Sequence, residues 1–136
     1  KNWESFTAET DQGKICFAQT LPTRRAPAAV KRDKSKLFVT FRPSENIKDE
    51  ISITSGHAYK ASTVTAKSGK RSYSFFSKEN FAWILDDQEE KKFIQLMKKA
   101  TDVIVKARTV KGAETTDHYS MMGFTKAYNA AKKNCS

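Results

Sequence analysis

Apolar and polar residues alternate along most of this chain, and only twice does the spacing lengthen to that of a helix. Trp3 to Ala8 reads as a first strand, weakly patterned but aromatic. Asp11-Gln12-Gly13-Lys14 is a turn, with Gly13 supplying the permissive backbone. Ile15 to Leu21 sets Ile15, Phe17, Gln19 and Leu21 on one face and Cys16, Ala18 and Thr20 on the other. Pro22 stops this N-terminal hairpin. Leu37, Val39 and Phe41 alternate in a strand that Arg42-Pro43 ends, and Glu50 to Thr54 is another, turned by Ser55-Gly56. Tyr59 to Ala66 and Ser72 to Phe76 have strand composition and flank the tight turn Ser68-Gly69-Lys70. Phe81 to Leu85 alternates large apolar residues and is predicted to be the central core strand.

Helical spacing first appears after Asp86-Asp87, which offers an N-cap. Glu89 and Glu90 then fall in the first turn and Lys98 and Lys99 in the last, a polarity that suits the helix dipole. Phe93, Leu96, Met97 and Ala100 form its buried stripe. Asp102 to Thr109 returns to strand, with Val103 and Val105 facing one way and Ile104 the other. Gly112 turns the chain into a last strand ending at Ser120, which is placed to cap a final helix. On that helix Met121, Phe124, Tyr128, Ala131 and Cys135 recur at steps of three and four, making one apolar stripe. Roughly nine short strands and two helices, without internal repeats, predict one mainly β domain over residues 1–136, an antiparallel sandwich or barrel.

Charge changes this picture in one place. The chain has 25 Lys+Arg against 15 Asp+Glu, a net charge of +10, which favours anionic partners without choosing among them. Thr23 to Lys36 carries Arg24, Arg25, Lys31, Arg32, Lys34 and Lys36 against the single acid Asp33, half of that excess. Pro27 and its alanine neighbours give it no period, so it is expected to be an exposed loop and the leading patch for an anionic partner. No run approaches eighteen uninterrupted apolar residues, so no segment is predicted to span a membrane. The chain begins at Lys1-Asn2-Trp3, already within a strand pattern, as a mature or trimmed form would.

The two cysteines, Cys16 and Cys135, have neither CxxC nor zinc spacing. Either both are free or they pair. A pair closing so large a loop would contribute about 4–5 kcal/mol in the chain-entropy model and would imply an oxidising compartment.

The chemistry that the sequence offers is sparse. Asp117 and His118 are neighbours on a strand and point to opposite faces, so they cannot form the Asp–His half of a triad. Gly69-Lys70 lacks the earlier glycine of a phosphate loop, since Val64 stands there and Arg71 fills the Ser/Thr position. His57 follows Ser55-Gly56 as a turn-end residue, the paired acids near Asp86 are explained by a helix start, and Trp3 and Trp83 are expected in the core. Asn134-Cys135-Ser136 matches a glycosylation acceptor by accident if Cys135 is bonded on a buried face. No catalytic residue, cofactor or metal ligand is predicted. Base stacking would want an aromatic within the basic loop, and there is none.

One further pattern spans nearly the whole chain. Trp3 is followed by Cys16-Phe17-Ala18-Gln19-Thr20-Leu21-Pro22, Phe41-Arg42-Pro43, Glu50-Ile51-Ser52-Ile53 and Ser55-Gly56-His57-Ala58-Tyr59. Ala82-Trp83, Met97-Lys98-Lys99-Ala100, Gly112, Thr116-Asp117-His118-Tyr119-Ser120 and Gly123-Phe124-Thr125-Lys126-Ala127 continue it. This resembles the invasion-associated locus B family of Gram-negative bacteria, with departures at His57-Ala58, where an aromatic commonly follows the glycine, and at Ala100, where glycine is common. The resemblance implies an immunoglobulin-like β-sandwich exported to the periplasm, outer membrane or medium, with no established enzymatic activity. It also implies a Cys16–Cys135 disulfide, because export supplies the oxidising compartment. The function to be expected is a non-enzymatic virulence protein contributing to erythrocyte invasion. It would bind an anionic surface (acidic lipid, lipopolysaccharide or host-cell surface) or an envelope or host protein. A periplasmic structural or chaperone-like partner of envelope proteins is the alternative. An enzyme would need a deep polar pocket holding His57 or His118 beside carboxylates, and export would separate the protein from nucleic acid.

Overall fold

The computed structural model describes residues 2–136; Lys1, read with Asn2 as leading into the first strand, lies outside them. Two antiparallel sheets face each other. The larger has six strands in the order β1 (Trp3–Thr10), β2 (Gly13–Thr20), β4 (Lys36–Arg42), β5 (Ile47–Thr54), β9 (Phe81–Trp83) and β8 (Phe76–Lys78). The smaller has five, in the order β3 (Arg24–Ala26), β11 (Glu114–Ser120), β10 (Asp102–Arg108), β6 (Thr65–Ser68) and β7 (Arg71–Ser74). The mainly β sandwich expected from the alternation is present.

Strand alternation decides what is buried. Cys16, Ala18, Leu37, Val39, Phe41, Ile51, Ile53 and Ala82 point inward from the larger sheet, and Ala66, Tyr73, Val103, Val105, Ala107 and Tyr119 meet them from the smaller. Helix α1 (Asp87–Lys99) is capped by Asp86, whose carboxylate accepts from the Gln88 and Glu89 N–H groups at 2.8 and 3.2 Å. Its Phe93 ring packs edge-on against Tyr73 and Phe75. Helix α2 (Phe124–Asn134) lies against β1, β2 and β4, with Phe124 edge-on to Trp3 and Tyr128 beside Phe41. Cys135, just past its end, is disulfide-bonded to Cys16 of β2 across a separation of 119 residues. The predicted stripe is therefore the buried one.

Four local readings change. The segment Phe81 to Leu85 is not central: β9 has three residues, lies next to the sheet edge and pairs with β5 only at Ser52 and Ile53. Alternation was right but its direction was not, because the small Ala82 and Ile84 face the core while Phe81, Trp83 and Leu85 face out. Tyr59 to Ala66 is mostly loop, turned by Ser62 at φ 63°, a conformation strands do not contain. Ser72 to Phe76 is two strands, since the buried Phe75 is where the chain leaves the smaller sheet for the larger. Finally, the N-cap of α2 is Gly123 (φ 87°) and not Ser120, whose hydroxyl accepts from the Met122 N–H instead.

Replacing both Cys16 and Cys135 by serine should destabilise the fold by about 3–5 kcal/mol. Urea unfolding measures this, alongside thiol titration of the unreduced, unfolded wild type, which should find no free thiol.

Candidate functional site

Asp117 faces inward from the middle of β11, between Thr115 and Tyr119. A carboxylate there needs a charged partner. Arg32 supplies it from the β3–β4 connection, donating to Oδ2 at 2.9 Å and to Oδ1 at 2.7 Å, with side chains only 3% and 1% exposed. The same guanidinium donates to the Ser55 carbonyl at 2.9 Å and to Ser35 Oγ at 3.2 Å. One side chain thus joins the middle of the smaller sheet to the end of β5 in the larger. Gly56 completes the joint. Its carbonyl accepts from the Asp33 N–H at 2.8 Å, and a Cβ on it would fall 2.0 Å from the Asp33 carbonyl oxygen.

The histidines take no part in a catalytic arrangement with this carboxylate. His57 has its Nε2 3.0 Å from Thr115 Oγ1 and its Nδ1 near the Ala58 carbonyl, and its ring packs edge-on to Tyr59. Burial lowers its pKa, and the positive charge of Arg32 acts in the same direction. Tyr59 shares a hydrogen bond of 2.7 Å with Ser55 Oγ, and burial pushes its hydroxyl up to about 12. His118 points the other way, 3.2 Å from Arg24. The opposite-face reading of Asp117 and His118 is what the structure shows.

The six cations of the basic segment consequently part company. Arg24 to Ala26 is not loop but β3, paired to β11. Arg32 is buried against Asp117, and Arg25, beside it at 3.8 Å from Oδ1, also donates to the Asp33 carbonyl. Lys36 is on β4, in the other sheet. Arg24, Lys31 and Lys34 are exposed without an acidic partner, and Arg25 is exposed too, although it lies beside Asp117.

Positive charge gathers instead on the solvent face of the smaller sheet. Its register places Arg24, His118, Ile104 and Lys67 in one row, with Lys106 in the next and Arg108 opposite Glu114. Lys60 joins this end because its backbone N–H bonds the Arg108 carbonyl, and Lys111 stands in the β10–β11 turn. Arg24, Lys60, Lys67, Lys106, Arg108 and Lys111 face only Asp102 and Glu114 as acids among the described residues of this face. The same alternation that buries Val103 and Val105 sends Lys106 and Arg108 outward, so that signal was present in the sequence. The position of Lys67 depends on a pairing that the sequence does not display.

An open groove of about 530 Å³ lies where β9 stops pairing with β5. Asp49, Glu50, Trp83, Leu85, Asp87 and Glu90 are among its lining residues. Glu90 accepts from the Ile51 N–H at 2.9 Å. Burial raises its pKa to about 7, against the pull of that hydrogen bond and with help from the nearby Glu50, Asp87 and Asp49 carboxylates. No group of three His, Cys, Asp or Glu side chains among the described residues is placed to hold a metal ion. No described helix is long and apolar enough to cross a membrane.

The model of the invasion associated locus B (IalB) protein family matches residues 3–132. The chain belongs to that family. Comparisons with curated proteins and with solved structures each found no match. IalB proteins are not known as an enzyme family, and family membership together with the internal disulfide suggests an exported, invasion-associated protein.

Arg32→Ala should cost about 3–5 kcal/mol, because Asp117 would remain buried without its two hydrogen bonds from Arg32 and with only Arg25, at 3.8 Å, nearby. Lys31→Ala, one position away and exposed, should change stability by less than about 0.5 kcal/mol. Chemical denaturation of the two variants side by side checks the contrast. Glu90 gives a pH prediction. Its folded-state pKa lies above the unfolded one, so the folded state holds the proton longer and stability falls as pH rises from about 4.5 to about 7. Glu90→Gln, which keeps an acceptor for the Ile51 N–H, should flatten that fall, and melting temperatures at several pH values read it directly.

Proposed function

We propose that this protein is an exported, non-enzymatic invasion factor that attaches to an anionic surface through the basic face of its smaller sheet. Acidic lipid, lipopolysaccharide and an acidic host-cell coat share the chemistry recognised, and the host cell in this reading is the erythrocyte. The supporting observation is the division of charge. Arg32 and Arg25 are engaged by Asp117, whereas Arg24, Lys60, Lys67, Lys106, Arg108 and Lys111 stand on one sheet face with few acids near them. The exposed loop cations Lys31 and Lys34 extend the candidate patch beyond that sheet, while Lys36 lies on the opposite one. A lattice of cations whose depression beside Arg24 and His118 is open to solvent suits a surface better than a small substrate. The chain's remaining acids lie largely elsewhere, including the β5–α1 groove.

A second reading, a periplasmic partner of envelope proteins, draws on β1. This eight-residue strand is at a sheet edge, and every residue of it except Trp3 is exposed. Such an edge can accept another strand through backbone hydrogen bonds. The two readings differ in salt response.

Sedimentation with vesicles of mixed neutral and anionic lipid distinguishes them. Binding through the basic face should weaken steeply as salt is raised, since the Debye length shortens to a few ångströms near 1 M. Reversing Lys67, Lys106 and Arg108 together should weaken it by roughly 100-fold or more, at about 1 kcal/mol per cation near an anionic membrane. Reversing Arg24, Lys31 and Lys34 should also reduce it. Unaltered vesicle and red-cell binding by both triple variants would refute the anionic-surface reading.

A further inference from the structure

The outer face of the larger sheet is built unlike the rest of the surface. Alternation that turns Cys16, Leu37, Val39, Ile53 and Ala82 inward turns aromatic rings outward on the same strands. Phe6 stacks on Phe17 at 5.2 Å between centroids, and Phe17 meets Phe38 edge-on at 6.4 Å. On the far side of the sheet Trp83 stacks with Phe76 at 6.4 Å and with Phe81 at 6.3 Å. The register runs Phe38, Ser52, Trp83, Phe76 in one row, so the two clusters are ends of a single band. Phe6, Phe76 and Phe81 are 38%, 50% and 41% exposed, and the apolar faces of both helices pack on the core side. Rings clustered on a solvated face in this way mark an interaction surface rather than scattered exposure.

Charge points to the occupant. Among the described residues this face carries Lys36, Arg42 and Lys78 against Glu4 and Glu50, with Arg42 and Glu50 already paired at 3.7 Å. Its net charge is therefore about +1 on a chain of +10. Two copies of so basic a protein repel one another over most approaches, and this nearly neutral face adds little to that repulsion. The margins are also opposite in sign, Glu4 on the β1 side and Lys78 on the β8 side. A two-fold axis along the strands would set the Glu4 margin of each copy over the Lys78 margin of the other, with aromatic band against aromatic band. Such self-complementarity is what an isologous dimer requires. Six strands at about 4.8 Å spacing and about 20 Å of strand length give a flat footprint of roughly 500 Å². With the relief of the rings added, this approaches the roughly 800 Å² per partner of a standard interface.

We infer that this protein forms a two-fold dimer through the outer faces of its six-stranded sheets, aromatic band on aromatic band. The five-stranded sheets then lie on opposite outer sides, and the dimer presents two basic faces pointing away from each other. If those faces bind anionic surfaces, a clause that rests on the function proposed above, the dimer can bridge two of them.

Light scattering or sedimentation equilibrium over a range from about 1 μM to about 1 mM tests the dimer itself. The expected result is a concentration-dependent dimer that tightens as salt rises, because screening removes like-charge repulsion and leaves the apolar contact. Phe81→Lys should weaken it by at least about tenfold, as a charge facing an apolar partner would, with circular dichroism and melting unchanged. Lys78→Glu alone should weaken it, and Lys78→Glu combined with Glu4→Lys should restore it. A simple loss of fold would not give that rescue. A chain that stays monomeric throughout, or a dimer indifferent to Phe81→Lys and to the charge swap, would overturn the inference. So would a monomer whose Phe81→Lys variant loses affinity for neutral vesicles, which would make the band a lipid-facing surface. Clustering of anionic vesicles reads the bridging separately: wild type should cluster them, and Phe81→Lys should bind without clustering. Dimers that bind no vesicle would refute the anionic-surface reading and leave the dimer standing, whereas binding by wild type without clustering would overturn the bridging.

Discussion

A buried carboxylate in the middle of a strand admits few solutions, and the Arg32–Asp117 pair is the one on which this molecule is arranged. To reach Asp117, the connection after β3 must fold inward instead of lying on the surface. Once inside, the Arg32 guanidinium has donors left over, and Ser55 and Ser35 accept them. That brings the end of β5 against the same connection so closely that only glycine fits at position 56. The two sheets are thereby held at a defined place at one end, by polar contacts. Elsewhere they are held by the aliphatic core and by α2, which the Cys16–Cys135 bond ties to β2. A buried ion pair adds little net stability over an apolar substitute, but it tolerates few alternative pairings, which favours one register over others.

The same pair sorts the charge. Within one basic segment Arg32 is committed to the interior and Arg25 leans on the same carboxylate from the surface, while Arg24, its neighbour on the strand, is sent to the other face by alternation. The free cations then belong to a sheet face and not to a loop. Their opposite number is the aromatic band on the other sheet, nearly neutral and fully across the sandwich from them. A membrane contact that used both at once would need the molecule to face two ways, so one surface cannot engage both faces together. Under the function and dimer proposed for this IalB-family chain, that separation leaves one face for attachment and another for assembly.

How much of this was legible in the sequence varies with range. Features set within one turn or one strand were readable: the Asp86 cap, the dipole-matched α1, the stripe through Phe124, Tyr128 and Ala131, and the inward set Cys16, Ala18 and Thr20. Periodicity also places Lys106 and Arg108 outward, on a strand less dense in charge than the segment from Arg24 to Lys36. What failed required knowledge of partners. Alternation in Phe81 to Leu85 is unambiguous, but bulk alone does not say which of its two faces is the core, and the small Ala82 is the inward residue. Likewise nothing near Arg32 announces Asp117, which lies 85 positions away. A cation's partner is a property of the fold.

The most direct test is the reactivity of the individual arginines in the native protein towards a guanidinium-selective dicarbonyl reagent, mapped by mass spectrometry over time. Arg24 and Arg108 should be modified early and Arg32 should remain protected until the chain is unfolded, because its side chain is 3% exposed and bonded to Asp117. Modification of Arg32 at the rate of Arg24 in the folded protein would contradict the central claim. The ion pair would then not be closed, and the division of charge built on it would fall with it.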